Sequence, residues 1–307
     1  MRLARFLAAF GLVGLVLLLL PREAHAWTPG THIFLGQSIL SSIGQLPAMV
    51  GELIRAFPFD FLYGNIAPDT SFAKKYAPLD RHCHHWHVGQ EVYDLAESDA
   101  LRAFGLGYLC HLAADVVAHN HFVPRQLVVT SSTKSLGHSY WEGRAELHLD
   151  ADYAAEAREV ILLDHRPADA HLERIISPTI FSVKTNRRLF RGMVHLTRHP
   201  TYQRGMRAAR SVSRWHLSDN VVESHLALAY DYMMDLLAAE GERVRIWDPN
   251  GQAAIRRAKA MRRMALVSGG WKDVAHLHET AEHHFGLPAA ELVFWPSVAD
   301  RLLPRAS

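Results

Sequence analysis

Between Gly105 and Glu142 the chain sets ionisable side chains at helical spacing inside largely apolar sequence. Leu101 to Phe122 carries apolar residues at intervals of three and four, the period of a helix. Within that run His111 and Asp115 stand four residues apart, which places an imidazole and a carboxylate on one face, one turn apart and able to grip a single ion. His121 follows six residues after Asp115, about 9 Å further along the axis at ~1.5 Å per residue, too far to share His111's ion easily. His138 and Glu142 repeat the pairing downstream. The natural grouping is His121, His138 and Glu142 around a second ion, with a fourth position open as catalytic zinc requires. Pro124 and Gly137 fit a loop that returns the chain between two helices.

The remaining sequence has the same periodicity. Trp141 to Leu163 and Asp219 to Glu240 read as helices, and Gln252 to Val267 reads as a basic amphipathic one carrying Arg256, Arg257, Lys259, Arg262 and Arg263. Loops are marked by Pro29-Gly30, Ala67-Pro68-Asp69, Ser177-Pro178, Asp248-Pro249-Asn250-Gly251 and Gly269-Gly270. No long run alternates with period two, and no repeat of solenoid length occurs. These features predict one all-α domain over residues 27–307, in which residues after about 170 form a candidate helical annex.

Composition narrows the chemistry. The chain holds 21 histidines against 9 tyrosines and 7 tryptophans, and histidine is the commonest side-chain metal ligand. Two cysteines, Cys83 and Cys110, cannot build a thiolate zinc site, so His, Asp and Glu must hold any metal. Whether the two cysteines pair in an oxidising compartment stays open. Residues 1–26 read as a cleaved leader: Arg2 and Arg5 precede an uncharged run from Phe6 to Leu20, and Ala24-His25-Ala26 supplies a cleavage pattern before Trp27. The expected destination is secreted or periplasmic. The formal net charge is +2, and losing Arg2, Arg5, Arg22 and Glu23 with the leader brings it to zero. A chain without basic excess makes nucleic acid an unlikely partner. Charge is nonetheless segregated: Arg174 to Trp215 is basic without a carboxylate, while Glu142 to Glu173 is acidic. Either the two segments face each other or water, or the basic one forms a rim for phosphate head groups.

Further candidates lie upstream. Asp69 sits in the loop Gly64-Asn-Ile-Ala-Pro-Asp69, and His82-Cys-His84-His85-Trp-His87 follows thirteen residues later. Four histidines in six positions are hard to explain as core packing. Taken in order, Trp27, His32, Pro68-Asp69, the His84 cluster, His111-x-x-x-Asp115, His121 and His138-x-x-x-Glu142 resemble the ligand series of the bacterial zinc-dependent phospholipase C family. That family shares a helical three-zinc fold with the fungal single-strand-specific zinc nucleases.

The resemblance implies three Zn2+ ions. Asp69, His84, His111 and Asp115 would hold one, with His85 close behind His84 as the alternative ligand. His121, His138 and Glu142 would hold the second. The third would take His32, the amino group and carbonyl oxygen of a processed Trp27, and Asp115 as a bridge. His119 is expected to be a polar wall beside this site. The implied reaction is phosphodiester hydrolysis by metal-activated water, with Asp69 doubling as the catalytic general base and phospholipid as substrate. No Gly-x-Ser-x-Gly elbow and no Walker loop occurs, which argues against a serine hydrolase or a nucleotide switch. Peripheral membrane contact through the basic helix is a further candidate interaction. Two other readings stay open. One is a nuclease or nucleotidase that stacks bases on Tyr63, Trp86, Phe122 or Tyr140, and the other is a non-catalytic zinc protein.

Overall fold

A computed structural model describes residues 27–70, 83–131, 137–176, 183–197, 204–205, 207–208, 210–211, 213–239, 241–289 and 291–297. Among the described residues there is no strand. The expected leader, His82 and Ser177-Pro178 lie outside them.

The fold is organised by one buried helix. In chain order the helices are α1 (Pro29–Leu40), α2 (Ala48–Ala56), α3 (Pro58–Gly64), α4 (Trp86–Asp94) and α5 (Asp99–Val117). After these come α6 (Val123–Val129), α7 (His138–Glu146), α8 (Ala151–Leu162), α9 (Arg166–Ile175) and α10 (Val183–Thr197). The last four are α11 (Asp219–Ala239), α12 (Glu242–Arg245), α13 (Gln252–Ser268) and α14 (Val274–Phe285). Ser98 caps α5 by accepting from the Leu101 N–H, and every residue from Ala103 to Val117 is buried. A π-helical turn, Ala118–Phe122, joins α5 to α6 without a break. The whole stretch Asp99–Val129 is long and apolar enough to cross a membrane, but 89% of its most apolar window is buried by the surrounding helices, as in a core helix. Pro124 accounts for the wide turn, because it brings no N–H to the helical ladder and crowds the turn before it.

Helices α3, α4 and α11 flank α5, while α13 and α14 pack on α6. The crossing of α3 over α5 is the closest, and two glycines permit it. A Cβ on Gly107 would overlap the Phe61 carbonyl oxygen, and one on Gly64 would overlap that of Phe104. This approach delivers the segment after α3, Asn65 to Asp69, against the middle of α5. Residues after 170 share the same hydrophobic core, with Leu226, Tyr230 and Met233 of α11 buried in it.

The structure corrects some expectations and decides others that were open. Pro29-Gly30 is not a loop; Thr28 caps α1 and Pro29 opens it, where a missing N–H costs nothing. Pro124 lies within continuous helix rather than in a returning loop. Trp141 to Leu163 is two helices, because α7 stops at Glu146 and Asp150 caps α8 through the Asp152 N–H. Asp69 sits in a short 3₁₀ turn, Ala67–Thr70, not in open loop. Cys83 and Cys110 are buried and not joined in a disulfide, and burial raises the Cys110 pKa. The acidic and basic segments do meet: Arg187 pairs with Asp169, and Arg191 donates to the Ile161 carbonyl. Tyr63 and Phe122 are fully buried and Tyr140 nearly so, which removes them as faces for stacked bases.

Candidate metal centre

Asp115 is the hub. It is fully buried in the middle of the bundle, with His32 Nε2 3.3 Å from its Oδ1. On the other side, His84 Nε2 and His111 Nε2 lie 3.1 and 3.2 Å from its Oδ2. Asp69 completes the group, with its Oδ1 3.3 Å from His84 Nε2 and 3.9 Å from His111 Nε2. The His32 and His111 rings stack at 4.0 Å, and the two Nε2 atoms of His84 and His111 are 3.1 Å apart. Four segments converge here: α1 brings His32, the turn after α3 brings Asp69, the approach to α4 brings His84, and α5 brings His111 and Asp115.

The donor set matches what a divalent metal needs. Both nitrogens of His32 and both oxygens of Asp115 are buried without a hydrogen bond, although His32 Nε2 and Asp115 Oδ1 face each other at close range. Buried polar atoms normally find partners, so lone pairs pointing at one another mark a place for a cation. Burial opposes ionisation of Asp115, but the close approach of His111, with His32 and His84, outweighs it and holds the carboxyl well below the usual range. Burial, then His111, lowers the His32 pKa and keeps the ring neutral, the form that ligates. Among the described residues, the compact donor groups are His32–Asp69–His111 and His84–His111–Asp115.

Backbone carbonyls set the ring tautomers. His111 Nδ1 lies 2.8 Å from the Asn65 carbonyl oxygen, which can only accept, so the proton sits on Nδ1 and Nε2 faces Asp115. Asn65 is invisible to spacing arguments, since its main chain does the work. His84 Nδ1 contacts Cys83 Sγ at 3.2 Å, and His84 is buried whereas His85 is only half-buried. Of the two alternatives, His84 is the one that faces the donor group.

The other expected ligands are arranged less tightly. His138 Nε2 is 2.7 Å from Glu142 Oε1 on α7. His121 Nδ1 is 3.1 Å from the Gly286 carbonyl oxygen, and the ring meets Trp247 at 5.0 Å. His121 Nε2 is buried without a hydrogen bond, and burial lowers the pKa of the ring. His119 approaches the pair, with its ring 5.1 Å from that of His138. Trp27 is fully buried; its indole Nε1 donates to the Ala114 carbonyl at 3.1 Å, beside Asp115 in the chain.

The family model for zinc-dependent phospholipase C matches residues 31–186, just over half of the chain. The chain belongs to the zinc-dependent phospholipase C family. No curated protein and no solved structure matches it. The matched stretch runs from the residue before His32 to the start of α10, so it contains Asp69, His84, His111, Asp115, His119, His121, His138 and Glu142. Family membership and the His/Asp groups agree on zinc dependence and on an all-α fold. The matched stretch ends before Trp247 and Gly286, whose main-chain oxygens nevertheless meet Trp86 and His121.

Proposed function

We propose that the protein is a phospholipase C that hydrolyses a phospholipid to diacylglycerol and a phosphorylated head group. One observation carries this reading: histidines and carboxylates from four segments converge on Asp115, whose two oxygens, like both nitrogens of His32, are buried without a hydrogen bond. Asp69, His84, His111 and Asp115 would hold one Zn2+, and His138 and Glu142, with a histidine of the π-helical turn, a second. Trp27 and His32, bridged by Asp115, would hold a third. Zinc bound there polarises a phosphoryl oxygen and lowers the pKa of a bound water toward ~7. Asp69, on a 3₁₀ turn rather than a helix, is placed to take the proton of the attacking water as general base. His111 and His84 direct their Nε2 atoms inward, toward Asp115.

The same proposal includes a leader cleaved before Trp27, delivery to the periplasm or outside the cell, and contact with the membrane that supplies substrate. Helix α13 suits that contact. Arg256, Lys259 and Arg263 share its outer face with Met264 and Val267, which are 69% and 85% exposed. Reversing the charge of Arg256 and Arg263 should weaken binding to anionic vesicles in a sedimentation assay, while turnover of a soluble monomeric substrate stays intact. The decisive experiment pairs zinc content with product analysis. Release of phosphocholine from phosphatidylcholine supports the reading, and release of mononucleotides from single-stranded nucleic acid with no lipid turnover overturns it.

A further inference from the structure

His119 sits two residues before the histidine that the ligand pattern selects, and it is fully buried. Its Nδ1 lies 2.6 Å from the Pro249 carbonyl oxygen. A carbonyl only accepts, so Nδ1 carries the proton and Nε2 carries the lone pair, the arrangement of a metal-binding imidazole. His111, Asp115 and His119 succeed one another at four-residue intervals, so the face that holds the first donors continues to His119. The ring stands between the two halves of the site: Nδ1 is 3.9 Å from Asp115 Oδ2, and the ring is 6.5 Å from His84 and 5.1 Å from His138.

The segment that orients His119 comes from beyond the family-matched stretch. Four consecutive residues bond to elements that bear the site. Trp247 O accepts from Trp86 Nε1 at 2.8 Å, and Asp248 O accepts from Asn120 Nδ2 at 2.8 Å. Pro249 O accepts from His119, and Asn250 Nδ2 donates to the His84 carbonyl at 2.8 Å. Gly251 then turns away with φ +53°, and a Cβ there would fall on the His119 carbonyl group. A turn that donates or accepts at every step against Trp86, His84, His119 and Asn120 is fitted to this site rather than packed loosely over it.

We infer that His119, through Nε2, is a zinc ligand with His138 and Glu142, in the place the family pattern gives to His121, and that the turn Trp247–Gly251 holds it there. The inference rests on the zinc reading above but can fail separately. The test is zinc content per chain by mass spectrometry, with the visible spectrum of the cobalt-substituted protein as a second readout. His119→Ala should lose one of the zinc ions the wild type holds and change the cobalt spectrum, and His121→Ala should keep the full complement. Gly251→Ala, which leaves every ligand in place, should weaken retention of the same ion against a chelator by about 10- to 100-fold. Circular dichroism checks that each variant is folded, and Gly251→Ala keeps the test alive if His119→Ala is not. Full zinc in His119→Ala, or loss of an ion only in His121→Ala, overturns the ligand assignment and leaves the functional reading standing. Unchanged chelator resistance in Gly251→Ala overturns the role of the turn. A wild-type protein that holds no zinc overturns both.

Discussion

The two halves of the site are built differently. Around Asp115, five side chains reach one point, and the carbonyl that orients His111 comes from Asn65, in the segment that also supplies Asp69. Around His138 and Glu142, the nearest rings take their orientation from distant chain: His119 from Pro249 and His121 from Gly286. The first half draws its side chains and most of its supports from residues 27–117, with Asn250 Nδ2 on the His84 carbonyl as a tie from beyond them. The second depends on how the C-terminal helices dock, since α13 and α14 pack on α6 and bring both carbonyls with them. Compactness of a donor group therefore reflects how many of its supports come from the stretch of chain that carries the donors.

Asp115→Asn should break the comparison most severely. The residue is proposed to serve two ions, so it should lose more zinc than His138→Ala, which touches one. Equal loss of a single ion from both variants, by metal analysis, would remove the bridging role. Next in size is Gly107→Val. Its side chain would push α3 off α5, costing about 1–3 kcal/mol or more and lowering the melting temperature by several degrees. Asn65 and Asp69 should move with α3, so zinc should leave the Asp115 half while the His138 half keeps its own.

A smaller effect is expected at the chain terminus of the processed protein. One extra residue retained ahead of Trp27 converts an amine to an amide, a poor ligand, and should remove one ion and most turnover. His32→Ala should have the same zinc content as that extended form. Unchanged metal content in the extended form would take Trp27 out of the ligand set.

The smallest predicted effect concerns Glu146, which joins the two halves by accepting from the Thr28 hydroxyl and the Gly30 N–H at the start of α1. Burial raises its pKa from 4.5 to about 7. The folded protein then holds this proton more tightly than the unfolded chain, so its contribution to stability is fullest below pH 4.5 and declines as pH rises through about 7. Glu146→Gln cannot ionise and should flatten that part of the melting-temperature profile relative to the wild type. Parallel profiles for the two proteins would show that the proton is held elsewhere.

Periodicity alone determined that the chain is helical, because three- and four-residue apolar intervals leave no other way to bury one face. Spacing alone placed His111 with Asp115 and His138 with Glu142, since each pair lies within one helix and needs no knowledge of the rest. What spacing could not supply was direction across a change in helical pitch. The π-helical turn at Ala118–Phe122 spends more residues on each turn and so advances less per residue, and counting six residues from Asp115 to His121 does not say which histidine faces α7. Nor could sequence reveal Asn65, Pro249 or Gly286, whose main-chain oxygens carry no residue-type signal. Only the docking of α3 on α5, through Gly64 and Gly107, and of the C-terminal turn on His119, through Gly251, decided which imidazole nitrogen faces inward. A side chain's identity is written in the sequence, but the tautomer it adopts depends on a carbonyl that tertiary packing brings to it.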